Sequence, residues 1–324
     1  MTRKRVLFVF LSLLAVAAMS VACACPAAKT PEPTKEPEPT KEPEPTEEPM
    51  AELGTEDNPL IWVFVPSGET ERVSAGADAV ADLLLAETGL YVDTMVATEY
   101  AGAIEAMCNG EAHIASLATF AYVLAADRGC AEAALVSVRY GSPTYNGQII
   151  ARADSGIESI EDLEGKTFCR PDPLSTSGWI IPMLTMKAAG LDTDADLAEV
   201  VDAGSHDAVV AGVYDGTCDA GATYVDARST IEEDHPDVMD EVVVIETTTD
   251  IPNDGVQFAP AVPQDVRDKV VDGLLAIAET EDGVEALETA YSWTALEKHD
   301  DTFYDPFRQV LQASGVDVED LMGE

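Results

Sequence analysis

The sequence predicts an α/β protein built in two lobes, and three observations carry that reading. At 324 residues with 46 % hydrophobic side chains, the chain exceeds one ordinary domain and can bury a large core. Short apolar runs alternate with helical segments from residue 60 onward, the pattern of strands covered by helices. The alternation then restarts near residue 147, with a faint internal echo: residues 103–115 and 208–220 each read as helix, Asn-Gly or Asp-Gly turn, buried strand.

In order, residues 60–65 form an apolar strand closed by Pro66-Ser67-Gly68. Val73, Ala77, Val80, Ala81, Leu84 and Leu85 then share one helical face until Gly89 stops it. Residues 91–96 give a second strand, 99–108 a second helix ended near Asn109-Gly110, and 113–117 a third strand. A helix over 120–126 and a strand over 134–140 complete the first series. The second series comprises strands over 147–151 and 166–170, a helix after Ser175, a strand over 199–203, a helix from His206 and a strand over 218–224. A strand over 241–245, a turn over 251–254 and a strand over 256–259 lead into helices over 263–278, 283–291 and 301–313. These last helices return to the first lobe. The expected organisation is thus 58–144 for the first part of lobe 1, 145–249 for lobe 2 and 250–324 for the return.

Ahead of the lobes, Arg3-Lys4-Arg5 precedes an uncharged, mostly apolar run to Ala22, a basic n-region and h-region too short for a comfortable membrane span. Residues 1–22 therefore read as a signal peptide. Ser20-Val21-Ala22-Cys23 resembles the bacterial lipoprotein cleavage box, which makes Cys23 the lipid anchor and Cys25 the alternative. Residues 23–57 are dominated by Pro-Glu-Pro-Thr-Lys/Glu-Glu repeats, a composition that favours extended polyproline conformation and reads as a stalk. The protein is accordingly expected outside the cytoplasm, held to the membrane by its lipid.

Eighteen Lys+Arg stand against 61 Asp+Glu, a net charge of −43, of which residues 58–324 carry −39. Such a surface excludes a basic nucleic-acid interface, repels itself at low salt and points to a salty environment. Four cysteines follow the stalk, none in a Cys-x-x-Cys pair, so zinc is not indicated and disulfides are allowed. Of three possible pairings, Cys108–Cys130 with Cys169–Cys218 keeps each bridge inside one lobe.

The chemistry concentrates at Ser175-Thr176-Ser177-Gly178, between a strand and an apolar helical segment that contains Pro182. Ser175 suits an N-cap. Successive backbone N–H groups and up to three hydroxyls then gather beyond the strand end, at the positive end of a helix. Gly178 is expected to let a ligand approach the backbone. His206, after Gly204-Ser205 at another helix start, offers a further donor that would titrate near neutrality.

Seven segments in order, Val65-Pro66-Ser67, Ala97-Thr98-Glu99-Tyr100, Pro143-Thr144-Tyr145, 160–167, Asp172 to Gly178, Gly204-Ser205-His206-Asp207 and Ile251-Pro252-Asn253-Asp254, resemble the substrate-binding proteins of phosphate, phosphite and phosphonate ABC transporters. The resemblance covers about residues 58–315. It implies the periplasmic-binding-protein fold of type II kind, two hinged lobes joined by two crossings, each a mostly parallel sheet flanked by helices. It implies no enzyme activity, cofactor or metal, and hand-over of a phosphorus oxyanion captured in the cleft to permease subunits by a monomer. Ser175, Thr176, Ser177, His206, Tyr100 and Tyr145 would contact the ligand, and Asp226 would meet an amino group or a protonated oxygen. Leu117-Ala118-Thr119-Phe120 departs from the Gly-Pro common in relatives, which leaves the wall around the ligand's substituent open.

Three other readings fail on residues. Gly165-Lys166-Thr167 lacks the glycine five positions earlier, where Ile160 stands, so it is no phosphate loop. The Asp192 to Asp196 run lacks the calcium loop's Gly and final Glu, having Leu197 and Ala203 there. No Gly-x-Ser-x-Gly elbow exists for hydrolysis. A membrane-anchored sensor of the same fold, feeding a signalling receptor, is the alternative function.

Overall fold

A computed structural model of the chain describes residues 52–315. The signal peptide, Cys23 and the stalk up to residue 51 lie outside the described residues. Lobe 1 opens with β1 (Leu60–Phe64), α1 (Thr70–Thr88), β2 (Val92–Val96), α2 (Tyr100–Cys108), β3 (Ile114–Ser116), α3 (Thr119–Asp127) and β4 (Glu132–Val138). Lobe 2 follows with β5 (Thr144–Arg152), β6 (Thr167–Arg170), a π-helical turn (Thr176–Ile180) running into α4 (Ile181–Ala188), β7 (Glu199–Asp202), α5 (His206–Tyr214), β8 (Ala220–Tyr224), α6 (Val238–Glu241) and β9 (Val242–Pro252). The chain returns through β10 (Gly255–Phe258), α7 (Gln264–Ile277), α8 (Glu281–Tyr291), β11 (Ala295–Lys298) and α9 (Asp305–Ser314).

Strand order is β11-β4-β10-β3-β1-β2 in one sheet and β7-β6-β8-β5-β9 in the other. The expectation of mostly parallel sheets needs correction: both are mixed. Parallel pairing is confined to β1 with β2 and β3, and to β6 with β7 and β8. The reason is topological. The strand leaving lobe 1, β4, lies beside the strand re-entering it, β10, and the strands continuing each into lobe 2, β5 and β9, are also neighbours, so both pairs run antiparallel.

The two crossings are knitted together by Asn253, whose Nδ2 donates to the carbonyls of Ser137 and Ser142 at 2.9 and 3.0 Å. The expected turn over 251–254 is partly strand. Tyr145 pairs with Ile251 and Thr144 with Pro252, so β9 stays in the lobe 2 sheet past the anticipated boundary. β11 was not anticipated; it adds an edge strand to β4.

α1 buries Val73, Gly76, Ala77, Val80, Ala81 and Leu84. A Cβ on Gly76 would come within 2.3 Å of the Ala290 backbone nitrogen, so this glycine sets how closely α1 approaches α8, whose C-terminal end reaches the cleft. Trp62, Tyr122, Phe120, Phe258 and Trp293 fill the lobe 1 core, and Phe168, Ile149 and Val209 are buried in lobe 2. Disulfides join Cys108 to Cys130 in lobe 1 and Cys169 to Cys218 in lobe 2. Among the described residues no helix is long and apolar enough to cross a membrane.

Candidate functional site

Five helical starts converge on a cavity between the lobes. Ser67 and Arg72 flank the start of α1, Tyr100 opens α2, Ala118 precedes α3, Ser175 to Ser177 form the π-turn's first residues and His206 opens α5; all of them line the cavity. Its volume is about 30 Å³, a few times the space that admits one water. Helix N-termini carry partial positive charge, and the N–H groups that no cap takes up favour an anion locally.

Ser175 is the N-cap of the π-turn, its Oγ accepting from Gly178 N at 3.2 Å. Pro182 sits where the π-turn passes into α4, and the helix continues through it to Ala188. Gly178 serves packing rather than ligand approach: a Cβ there would lie 2.3 Å from Pro171 Cδ.

His206 is 3 % exposed. Its Nδ1 pairs with Thr223 Oγ1 at 2.7 Å and its Nε2 faces Ser175 Oγ at 3.4 Å. Burial, with the nearby Arg139 acting in the same direction against Asp207, lowers its pKa to about 3. The expected titration near neutrality is thereby overturned; a ring enclosed this fully stays neutral, with one nitrogen able to donate. Tyr145 and Tyr224 are pushed up to about 12, and Tyr100 and Tyr291 well above 10, in each case mainly by burial. Every phenol in the cavity wall is therefore uncharged; Tyr291 spends its O–H on the Val65 carbonyl at 2.6 Å, which leaves those of Tyr100, Tyr145 and Tyr224 to face the cavity.

Of the residues expected at the site, Ser175, Thr176, Ser177, His206, Tyr100 and Tyr145 line this one cavity. Asp226 does not. It follows β8 in the left-handed conformation, φ 70°, is exposed, and lines an adjoining chamber of about 170 Å³. The chamber and the cavity share Arg139, Tyr145, Tyr224 and Ser292.

Sequence reasoning missed Arg139, Asp254, Arg72 and Tyr291. Arg139 Nη2 donates to both carboxylate oxygens of Asp254, at 2.9 and 2.8 Å, and Asp254 also accepts from Ser137 Oγ and Trp293 Nε1. No local signal marks Arg139, since β5 and β6 also end in an arginine, Arg152 and Arg170.

The two lobes are closed on the cavity by reciprocal capping. α1, α2 and α3 have no side-chain cap of their own. Instead lobe 2 supplies acceptors: Asp207 Oδ2 for Glu69 N at 2.8 Å, Asp172 Oδ2 for Tyr100 N at 3.0 Å, and Thr176 Oγ1 for Phe120 N at 2.8 Å. His206 N returns a bond to Ser67 O at 3.2 Å.

Two α/β lobes closed around a polar cavity are the architecture of a hinged solute-binding protein. Residues 62–304 match a family described as ABC transporter, phosphonate, periplasmic substrate-binding protein, and the chain belongs to that family. It is 32 % identical over 170 residues to the phosphate-import protein PhnD of Mycolicibacterium smegmatis, covering 49 % of this chain and 53 % of that one. It is 26 % identical over 227 residues to the phosphonates-binding periplasmic protein of Escherichia coli, covering 68 % and 67 %. The chain thus spans about half the length of the first relative and two thirds of the second. The binding component of a phosphonate ABC transporter from Pseudomonas aeruginosa shares the fold with a TM-score of 0.73 at 23 % identity, covering 79 % of this chain and 87 % of that one. PhnD1 of Prochlorococcus marinus, solved with methylphosphonate, does so with 0.71 at 14 % identity, covering 78 % and 97 %. Members of the family are transport substrate-binding proteins, not enzymes.

Proposed function

We propose that this protein captures a phosphorus oxyanion, whether phosphate, phosphite or a phosphonate, in the cavity between its lobes and delivers it to the permease subunits of an ABC transporter. Lipid on Cys23 would hold it to the membrane and the stalk would give the binding lobes reach. One observation carries the reading: three hydroxyls at Ser175, Thr176 and Ser177, a neutral His206 and the phenols of Tyr100, Tyr145 and Tyr224 surround, among helix starts, a space small enough for a tetrahedral anion. Hydrogen bonds from such donors to a charged oxygen each contribute about 1.5–3 kcal/mol, more than their neutral counterparts.

Calorimetric titration with phosphate, phosphite, methylphosphonate and 2-aminoethylphosphonate tests this. One clear preference is expected, weakened at least tenfold in Ser175→Ala and in His206→Ala. Absence of heat with all four rejects the ligand class.

A further inference from the structure

An anion site does not need a buried carboxylate, yet Asp254 lines this cavity. Its charge is already met by Arg139, each side chain only 12 % exposed. The arginine is not exhausted by that pair. Its bonds to Asp254 run through Nη2 alone; Nη1 has no acceptor among the described residues, and Nε is buried without one. A guanidinium held by a carboxylate on one nitrogen, with Nη1 unanswered, calls for an oxygen acceptor in the space it borders.

Arg139 borders two such spaces, the cavity and the adjoining chamber, and its guanidinium carbon sits 5.4 Å from the Tyr145 ring centre on their shared wall. A group extending from an anion in the cavity into the chamber passes this cation. Asp226, at the chamber, is exposed, so water and salt screen what it could offer an ammonium. Asp254 is buried but already paired.

We propose that Arg139 is a specificity-determining residue that selects phosphorus oxyanions whose substituent is an oxygen acceptor or a carboxylate, or which carry no substituent, and discriminates against those bearing an ammonium. This rests on the reading of the cavity as a phosphorus-oxyanion site. Arg139 supplies donors to the ligand's oxygen or carboxylate and holds Asp254 away from a cationic substituent.

Phosphonoacetate and 2-aminoethylphosphonate are near equals in length with opposite charge at the far end, so the protein is titrated with both and with phosphate. Phosphonoacetate and phosphate are expected to bind at least tenfold more tightly than 2-aminoethylphosphonate. In Arg139→Met the ratio of phosphonoacetate to 2-aminoethylphosphonate affinity is expected to fall at least tenfold, because Asp254 is then free. Arg139→Met/Asp254→Asn leaves no buried unpaired charge and covers the case in which the single variant does not fold; there the ratio is expected to approach one. A protein that binds the aminophosphonate as well as phosphonoacetate, or a ratio unchanged in the variant that folds, overturns the role of Arg139 while leaving the oxyanion site standing. No binding of any of the three overturns the role of Arg139, and if phosphite and methylphosphonate also give no heat the oxyanion site falls with it.

Discussion

At the scale of the residue, the cleft works by keeping its groups uncharged where an uncharged donor is wanted. His206 shows this in a form that stability measurements can read. The ordinary histidine pKa of 6.5 falls to about 3 when the ring is enclosed in the closed cleft. Between those values the unfolded chain binds a proton that the folded chain refuses, so this residue's contribution is complete above pH 6.5 and is lost as the pH falls toward 3. One such proton changes stability by about 1.4 kcal/mol per pH unit inside the window. Comparing the protein with His206→Gln at pH 6.5 and at pH 5 isolates the effect, since the general relief of carboxylate repulsion is common to both. The wild-type chain is expected to lose about 2 kcal/mol more than the variant over that interval, read from urea midpoints. Equal losses would show that the ring protonates as readily folded as unfolded.

At the scale of the element, the three lobe 1 helices that face the cleft are capped by side chains of lobe 2, so opening the lobes would remove their caps. Asp207 makes the clearest test, because it serves Glu69 N and also pairs with Arg72 at 3.5 Å. Loss of a cap costs about 1–2 kcal/mol, and here that cost falls on the closed form. Asp207→Ala is expected to release ligand five- to thirtyfold faster in stopped-flow displacement. An unchanged off-rate would mean that these bonds do not hold the lobes together. The same long-range construction explains what could and could not be read from the sequence. The strands of both lobes are legible because apolar runs end in glycine and proline turns, and the Ser175 niche is legible because N-cap chemistry is local. The reciprocal caps join residues 138, 72 and 56 positions apart, and the Arg139–Asp254 pair spans 115, distances at which no local pattern exists. β11, Ala-Leu-Glu-Lys, has no β-branched residue and becomes a strand only because β4 presents an edge to it. His206 was legible as a donor at a helix start, but its neutrality depends on burial between two lobes and could not be seen.

At the scale of the whole molecule, a chain of net charge −43 is asked to attract an anion, and the two effects act over different distances. The repulsive field of the carboxylates is long-ranged and falls within a Debye length of about 8–10 Å at physiological salt, whereas the N–H groups, hydroxyls and Arg139 act in contact and inside the cleft. The field therefore governs the encounter and the contacts govern the bound state. For a protein that draws its ligand in by opposite charge, added salt slows association. Here the sign is reversed: raising ionic strength from about 0.01 M, where the Debye length is about 30 Å, to about 0.15 M should speed association of phosphate or its preferred analogue, with little change in the off-rate. Stopped-flow measurement across that range, using a salt whose anion does not enter the cavity, reads both constants separately. An association rate that falls with salt would place a positive potential at the cleft mouth strong enough to override the surrounding acids, and steering rather than contact would then account for capture.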